Sequence, residues 1–190
     1  MKRVIGLTGG VASGKSTVSK FFEKLGAKII NVDEIGHLIL KNPTVINLID
    51  NNFLNVLENG DVSRKRLGNL VFSNPKELKK LNDIMYPRMK KIITDSVEEG
   101  INILDMAILF ESGFDELCET VVVVNTKVET QIERMERRYY NSEKITGILN
   151  SQMDTLDKTL RADFVIDNDG TIDQLKKKVS NLYKHILENE

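Results

Sequence analysis

The chain has 190 residues, enough for one well-buried α/β domain with a modest insert but too few to require two independent domains. Its 27 basic and 28 acidic side chains give a formal net charge of −1, so no global field favours nucleic acid or an anionic membrane. The single cysteine, Cys118, excludes an intramolecular disulfide, and no apolar run approaches the roughly 20 residues of a membrane-spanning helix, so we predict a cytoplasmic protein without a nucleic-acid, membrane or obligate protein partner.

The first predicted element is a short strand over Val4 to Leu7, which leads into a glycine-rich segment. That segment, Gly9-Gly10-Val11-Ala12-Ser13-Gly14-Lys15-Ser16, fits the pattern G-x-x-x-x-G-K-[ST]. Apolar residues then recur at helical spacing until Gly26, which is a typical helix stop. A strand, a glycine turn and a helix in this order point backbone N–H groups into a concave space that suits a phosphate chain.

This loop predicts a bound nucleoside triphosphate. Lys15 can reach the β- and γ-phosphates as a point charge, and the Ser16 hydroxyl is the expected ligand of a Mg²⁺ ion that bridges them. Gly9 and Gly14 let the backbone come close to the ligand. The nucleotide-binding residues predicted here are Gly9, Gly10, Val11, Ala12, Ser13, Gly14, Lys15, Ser16 and Thr17.

Four further apolar runs predict strands that helices cover on both faces, because the runs are short, rich in branched residues and not alternating. They are Lys28 to Val32, Ile101 to Leu104, Val121 to Val124 and Phe164 to Ile166. We therefore predict an α/β fold with a five-stranded parallel sheet. A largely helical stretch of about 33–100, punctuated by Asn42-Pro43, Asn59-Gly60, Asn74-Pro75 and Tyr86-Pro87, predicts a substrate-binding insert. A second long segment between predicted strands, about 127–162, is predicted to form a lid.

The end of the chain predicts a docked helix, because Ile172, Leu175 and Val179 begin a series of apolar residues at spacings of three and four. Its start carries the capping-box pattern from Thr171 to Gln174.

Asp33 stands just past the second predicted strand, where ligands gather in an open parallel sheet. On a helix, Asp33, His37 and Lys41 would share one flank. A carboxylate here can orient a substrate hydroxyl and take its proton as the new bond forms. Asp33 is also a residue type that caps helix N-termini, and both roles can coexist.

Other polar residues are candidates by position. Asp105 ends the third predicted strand and can orient magnesium or its waters, although a strand-end turn residue has the same pattern. Arg134, Arg137 and Arg138 lie opposite the apolar face of the helix predicted from Val128 to Tyr140. They can neutralise phosphoryl charge, or can pair with neighbouring glutamates. Asn168 to Gly170 joins the fifth strand to the last helix and is a turn signal by itself.

A GTPase-type switch is the alternative from another class. Asp167 to Gly170 satisfies D-x-x-G, but this match falls near the chain's end and no N-K-x-D segment is present. A kinase for another small nucleotide or nucleoside is a nearer alternative, since such enzymes share the fold and the loop.

Several segments together resemble the dephospho-coenzyme A kinases, in order along nearly the whole chain. They are Gly6-Leu7-Thr8-Gly9-Gly10, Val32-Asp33 with His37, Gly60 with Arg64 and Leu67, Val71-Phe72, Leu109-Phe110-Glu111, Gln131 with Arg134 and Arg138, Ser151-Gln152, and Ala162-Asp163-Phe164-Val165-Ile166 with Asn168 and Gly170. The resemblance implies one dephospho-coenzyme A kinase domain over 1–190, with a P-loop NTPase three-layer sandwich, a coenzyme-A-binding insert and a lid. It also implies transfer of the ATP γ-phosphate to the ribose 3′-hydroxyl of dephospho-coenzyme A.

The resemblance further implies roles for individual residues. Catalytic roles fall to Asp33, Lys15 and Arg138, and nucleotide binding extends to Arg134, Asn168 and Gly170. The implied substrate-binding residues are Thr8, Asp33, His37, Arg64, Leu109, Phe110 and Glu111, and the metal-binding residues are Ser16 and Asp105. Four features depart from the family's usual pattern, namely Asn31, Tyr86, Ala107 and Tyr139-Tyr140, and they affect details of the turn and the lid.

Overall fold

The computed structural model describes residues 1–137 and 153–188. The strands are β1 Lys2–Gly9, β2 Lys28–Asn31, β3 Leu57–Glu58, β4 Asp61–Val62, β5 Gly100–Asp105, β6 Thr120–Asn125 and β7 Phe164–Asp167. The helices in these residues are α1 Lys15–Lys24, α2 Val32–Ile39, α3 Pro43–Asn52, α4 Arg64–Phe72, α5 Pro75–Ser96, a 3₁₀ helix Phe114–Leu117, α6 Val128–Glu136, α7 Thr155–Arg161 and α8 Ile172–Glu188.

The chain divides into two compact units. The first comprises Met1–Asn31 and Val97–Glu190, and the second comprises Val32–Ser96. The first unit contains a five-stranded sheet in the order β2-β5-β1-β6-β7, in which every neighbouring pair is parallel. The predicted five-stranded parallel sheet is therefore confirmed, and the strand that precedes the glycine-rich loop is its centre.

Helices α1 and α8 pack together on one face of this sheet. Val18 and Phe22 of α1 and Val179 of α8 are fully buried in a cluster with side chains of β1, β5, β6 and β7. The predicted capping box is present at the start of α8. The Thr171 N–H donates to Gln174 Oε1 at 2.9 Å, and the Gln174 N–H donates to Thr171 Oγ1 at 3.3 Å.

The second unit is built around α5, against which α2, α3 and α4 pack. Met85, Met89 and Ile93 form the buried stripe of α5 at a spacing of four residues. Asn42 caps α3 and Pro43 begins it, so the break predicted at Asn42-Pro43 is the start of a helix. Tyr86-Pro87 does not mark a boundary, however, because α5 continues through Pro87.

The insert is largely helical, as predicted, and it also contains a small hairpin. Strands β3 and β4 pair antiparallel around Asn59-Gly60, where both residues have positive φ, 53° and 87°. Positive φ at both central residues is the requirement of a type I′ turn, for which Asn-Gly is the favoured sequence. The signal was therefore present, and the apolar helical stretches on either side outweighed it.

Candidate active site

The glycine-rich loop lies at the carboxyl end of the central strand. Gly9 ends β1, Gly14 occupies the N-cap of α1 at φ 94°, and Lys15 begins the helix. Ala12 has a φ of 55°, and the Ser13 N–H donates to the Gly10 carbonyl at 3.1 Å. The free N–H groups of the first turn of α1 are thereby directed to the place where a phosphate chain can bind.

Two glycines of the loop are required by close approach. A Cβ on Gly9 would lie 2.6 Å from the Val124 carbonyl oxygen, which is backbone of β6 and cannot give way. A Cβ on Gly14 would overlap the amide nitrogen of Asn168. Both positions therefore accept only glycine without movement of the surrounding structure.

The outer side of the loop is held by side chains from other elements. The Ser13 carbonyl accepts hydrogen bonds from Asn168 Nδ2 at 2.7 Å and from Thr126 Oγ1 at 3.0 Å. Arg134 Nη1 donates to the Ala12 carbonyl at 3.1 Å and to the Ser13 carbonyl at 3.2 Å, while its Nη2 donates to the Asn168 carbonyl at 2.9 Å. Because these carbonyls are engaged from outside, the N–H groups on the inner side keep their orientation without a ligand.

A cavity of about 550 Å³ opens at this loop. Residues Gly9 to Thr17 line it together with Arg134, Asn168 and Gly170, so the structure brings together all the predicted nucleotide-binding residues. Arg137 and Ala107 also line it and were not among them. Arg137 was noticed as one of three arginines on one helix, whereas nothing in the sequence pointed to Ala107.

Lys15 and Asp105, both in the first unit, form an ion pair. Their side chains are largely buried, and Asp105 ends β5 beside the loop strand. The predicted magnesium residues, Ser16 and Asp105, offer a hydroxyl and a carboxylate, which are the oxygen ligands Mg²⁺ prefers. Within residues 1–137 and 153–188, no group of three or more His, Cys, Asp and Glu side chains could hold a metal ion. Ser16 and Asp105 by themselves fit a Mg²⁺ ion that would take its remaining ligands from phosphates and water.

The residues after β5 that the resemblance assigned to the substrate are mostly interior. Leu109 is fully buried, and Phe110 is buried beneath the Arg161 guanidinium, whose central carbon lies 4.3 Å from the ring centre. Thr8 is also fully buried and donates through its hydroxyl to the Ala107 carbonyl at 3.0 Å. Glu111 forms an ion pair with Lys158 at 2.9 Å. These side chains shape the turn after β5.

The predicted acceptor residues of the insert lie in the second unit. Asp33 and His37 are exposed on α2, one helical turn apart. Asp33 occupies the first turn of α2, which begins at Val32, so it is not the N-cap. The prediction that Lys41 continues the same helical flank is wrong, because α2 ends at Ile39. Arg64 is the first residue of α4 and is exposed.

Part of the predicted lid falls outside the described residues. This applies to Arg138, to Tyr139-Tyr140 and to Ser151-Gln152. The described part of the predicted helix Val128 to Tyr140 is α6, which ends at Glu136. Thr126 and Gln131 were missed as site residues. The Gln131 amide donates to the Thr126 carbonyl at 2.9 Å, and a polar residue directly after an apolar strand was the available signal.

A parallel sheet whose central strand carries a phosphate-binding loop, with a charged cavity at its carboxyl edge, is the architecture of P-loop nucleotide-binding proteins, the class that includes the P-loop kinases. The model of one family within this class, described as "CoaE: Dephospho-CoA kinase", matches residues 3–174. The chain therefore belongs to the dephospho-CoA kinase family.

Individual relatives agree with this assignment. The chain is 37% identical over 189 residues to "Dephospho-CoA kinase" of Fusobacterium nucleatum, an alignment that covers 96% of this chain and 98% of that protein. It is similar to the solved structure of "Dephospho-CoA kinase from Campylobacter jejuni", with 28% identity, a TM-score of 0.71 and coverage of 100% and 99% of the two chains. A Thermus thermophilus structure, 24% identical over 97% of each chain, shares the fold with a TM-score of 0.87.

A helix that spans a bilayer has about 20 predominantly apolar residues. No helix in the described ranges, 1–137 and 153–188, is both long and apolar enough to span a membrane.

Proposed function

We propose that this protein transfers the γ-phosphoryl group of ATP to the ribose 3′-hydroxyl of dephospho-coenzyme A, giving coenzyme A and ADP. The observation that carries the proposal is the phosphate loop, braced from outside by Arg134 and Asn168, in a chain of the dephospho-CoA kinase family. We place the reaction in the cytoplasm, since the single cysteine needs no oxidising compartment. Nucleic acid, a membrane and an obligate protein partner have no role in it.

The loop and Lys15 hold the triphosphate. The inward N–H groups and the ammonium bind the β- and γ-phosphate oxygens, and the Lys15 ammonium leaves Asp105 to do so. Ser16 and Asp105 would hold Mg²⁺, which supplies neutralisation of phosphate charge when bound. Arg134 contributes through the loop, because its fork is occupied by backbone carbonyls.

In this proposal, Asp33 orients and deprotonates the acceptor hydroxyl. Its carboxylate accepts a hydrogen bond from the 3′-hydroxyl and orients the hydroxyl oxygen in line with the γ-phosphorus. As the new P–O bond forms, the bond between the γ-phosphorus and the β–γ bridging oxygen breaks. ADP leaves with that electron pair, and the hydroxyl proton passes to Asp33. His37 and Arg64, on the same insert, are proposed to bind the acceptor's anionic part.

The other residues implied by the resemblance keep their proposed roles. Thr8, Leu109 and Phe110, which are buried, are proposed to support the acceptor site from beneath, and Glu111 is proposed to lie at its edge. Gly170 lets the last loop approach the nucleotide, and Arg138 of the lid is proposed to bring a guanidinium to the phosphates. Such a lid excludes water, and so limits wasteful hydrolysis of ATP.

The test is ADP release from magnesium-ATP in parallel reactions with dephospho-coenzyme A, AMP, adenosine and no acceptor, with the product identified by mass. A Lys15→Ala variant prepared in the same way reports contaminating kinases. We expect turnover only with dephospho-coenzyme A and a product heavier by one phosphate. A preference for AMP or adenosine would make the protein a kinase for another small acceptor, and equal rates without acceptor would refute phosphoryl transfer to any of them.

A further inference from the structure

Lys158 is a buried cation that no step above uses. It lies on α7, and its side chain has no exposed surface. Its ammonium donates to the Ala107 carbonyl at 2.7 Å and pairs with Glu111 Oε1 at 2.9 Å. The same carboxylate oxygen accepts a hydrogen bond from the Met153 N–H at 3.0 Å. One lysine thereby connects α7 and the segment before it to the turn after β5.

Stability alone is a weak reason for this arrangement. Lysine is almost never fully buried, because its charge must be removed from water, and its pairing in the interior repays that cost only with good geometry. Apolar residues of similar volume often replace a buried ion pair without loss of stability. A buried lysine that bonds to one particular carbonyl therefore points to control of where that carbonyl lies.

The carbonyl in question belongs to the wall of the phosphate cavity. Ala107 lines the cavity together with the residues of the glycine-rich loop, and it lies two positions after Asp105, the partner of Lys15. Its oxygen accepts two hydrogen bonds, one from Lys158 and one from Thr8 of β1 at 3.0 Å. Thr8 directly precedes the loop. The two donors thus fix the wall to the central strand on one side and to α7 on the other.

We infer that Lys158 is a positioning residue for phosphoryl transfer, acting through the Ala107 carbonyl and Glu111 on the wall of the phosphate cavity. The inference rests on the proposed function and adds to it a group outside the loop. Lys158 does not touch the phosphates. It keeps Ala107, and with it the turn that carries Asp105, at the distance from the loop at which the reacting groups are aligned.

The test compares two neutral variants of the same helix, Lys158→Met and Arg161→Met. Arg161 is the matched control, because it also ties α7 to the turn after β5, through Asp115 at 3.2 Å and the Phe110 ring, but does not bond to Ala107. Its side chain is 46% exposed. Both variants are assayed with ATP and dephospho-coenzyme A well below their unfolding temperatures, and kcat is corrected for the folded fraction found by urea titration.

We expect Lys158→Met to lower kcat by about 10²-fold, as a displacement of about 1 Å does, with both KM values within about threefold because the loop itself is intact. Arg161→Met is expected to keep kcat within about twofold while losing stability. Equal kcat values for the two variants would reduce Lys158 to a structural ion pair and overturn the inference. An unaltered protein that turns over no dephospho-coenzyme A would instead refute the proposed function, and the inference with it.

Thr8→Val provides a second variant if Lys158→Met does not fold. It removes the other donor to the Ala107 carbonyl and keeps the side-chain shape. We expect a fall in kcat on the order of tenfold, smaller than for Lys158→Met because a neutral hydrogen bond contributes less than a charged one. An unchanged kcat would show that the position of this carbonyl does not matter, and the inference would fail.

Discussion

Replacing Gly14 by alanine measures how firmly the phosphate loop is held from outside. Gly14 has a φ of 94°, a left-handed conformation that costs an alanine about 1–2 kcal/mol. The added Cβ would also displace the Asn168 amide, which donates to the Ser13 carbonyl at 2.7 Å. Leaving that buried carbonyl with fewer partners costs about a further 1–3 kcal/mol, so we expect Gly14→Ala to lower the free energy of unfolding by about 2–5 kcal/mol.

The chain offers a matched control at Gly100, the first residue of β5. Its φ is 96°, almost the value at Gly14, but a Cβ there would meet nothing within 4 Å. Gly100→Ala should therefore cost only the conformational part, about 1–2 kcal/mol. Urea and thermal unfolding followed by circular dichroism measure both variants, and each kcal/mol corresponds to about 2–4 °C in Tm for a chain of this size.

The difference between the two losses in unfolding free energy isolates the contribution of the Asn168 amide, because the cost of backbone strain is common to both variants. Equal losses for Gly14→Ala and Gly100→Ala would show that the Asn168 amide does not hold the loop. A double variant, Gly14→Ala with Asn168→Ala, removes the overlapping group. Its loss in free energy of unfolding should not exceed the sum of the losses of the two single variants. If the overlap dominates, the loss should be smaller than that sum.

Four further predictions concern the site and the thiol. Asp33→Asn should retain ATP affinity by calorimetry yet lose phosphoryl transfer to dephospho-coenzyme A, and near-normal turnover would remove Asp33 from the proton transfer. Arg134→Lys keeps the charge but cannot bridge the carbonyls it now joins, so ATP affinity should fall about tenfold, and unchanged affinity would argue against a brace. Burial raises the pKa of the Cys118 thiol to about 12, so iodoacetamide should not label the native protein at pH 8. Since the unfolded thiol ionises near 9.0, the same shift should reduce stability as pH rises above that value, and a urea midpoint that does not fall would contradict it.

The parts of the fold that sequence predicts well are those set by local rules. The Thr171 to Gln174 capping box appears as expected, because it depends on atoms a few residues apart. The helical flank predicted through Lys41 is wrong because of another local rule. Asn42 caps the next helix, so α2 ends at Ile39 before Lys41 is reached.

In the site, too, the parts that could be predicted are those set by local sequence. The phosphate loop could be predicted because its chemistry requires particular residues at fixed spacing within one segment. Lys158 could not be predicted, because a lysine on a short helix next to other charged residues ordinarily faces solvent, and only the packing of α7 buries it. The roles of Thr126 and Ala107 likewise depend on hydrogen bonds to residues distant in sequence, which are Ser13 for Thr126 and Thr8 and Lys158 for Ala107. The assignments of Asp33, His37 and Arg64 to the acceptor remain predictions.

The position of β1 at the centre of the sheet has a consequence for biosynthesis. Along the chain this strand precedes the other strands of the sheet, yet its two neighbours are Gly100–Asp105 and Thr120–Asn125. The loop's outer brace comes later still, from Arg134 and Asn168. In a nascent chain, β1 therefore lacks at least one neighbouring strand until β6 has been made, and the phosphate loop lacks its full outer brace until Asn168 follows. Chaperone dependence should consequently be greatest for ribosome-bound chains that end before β6.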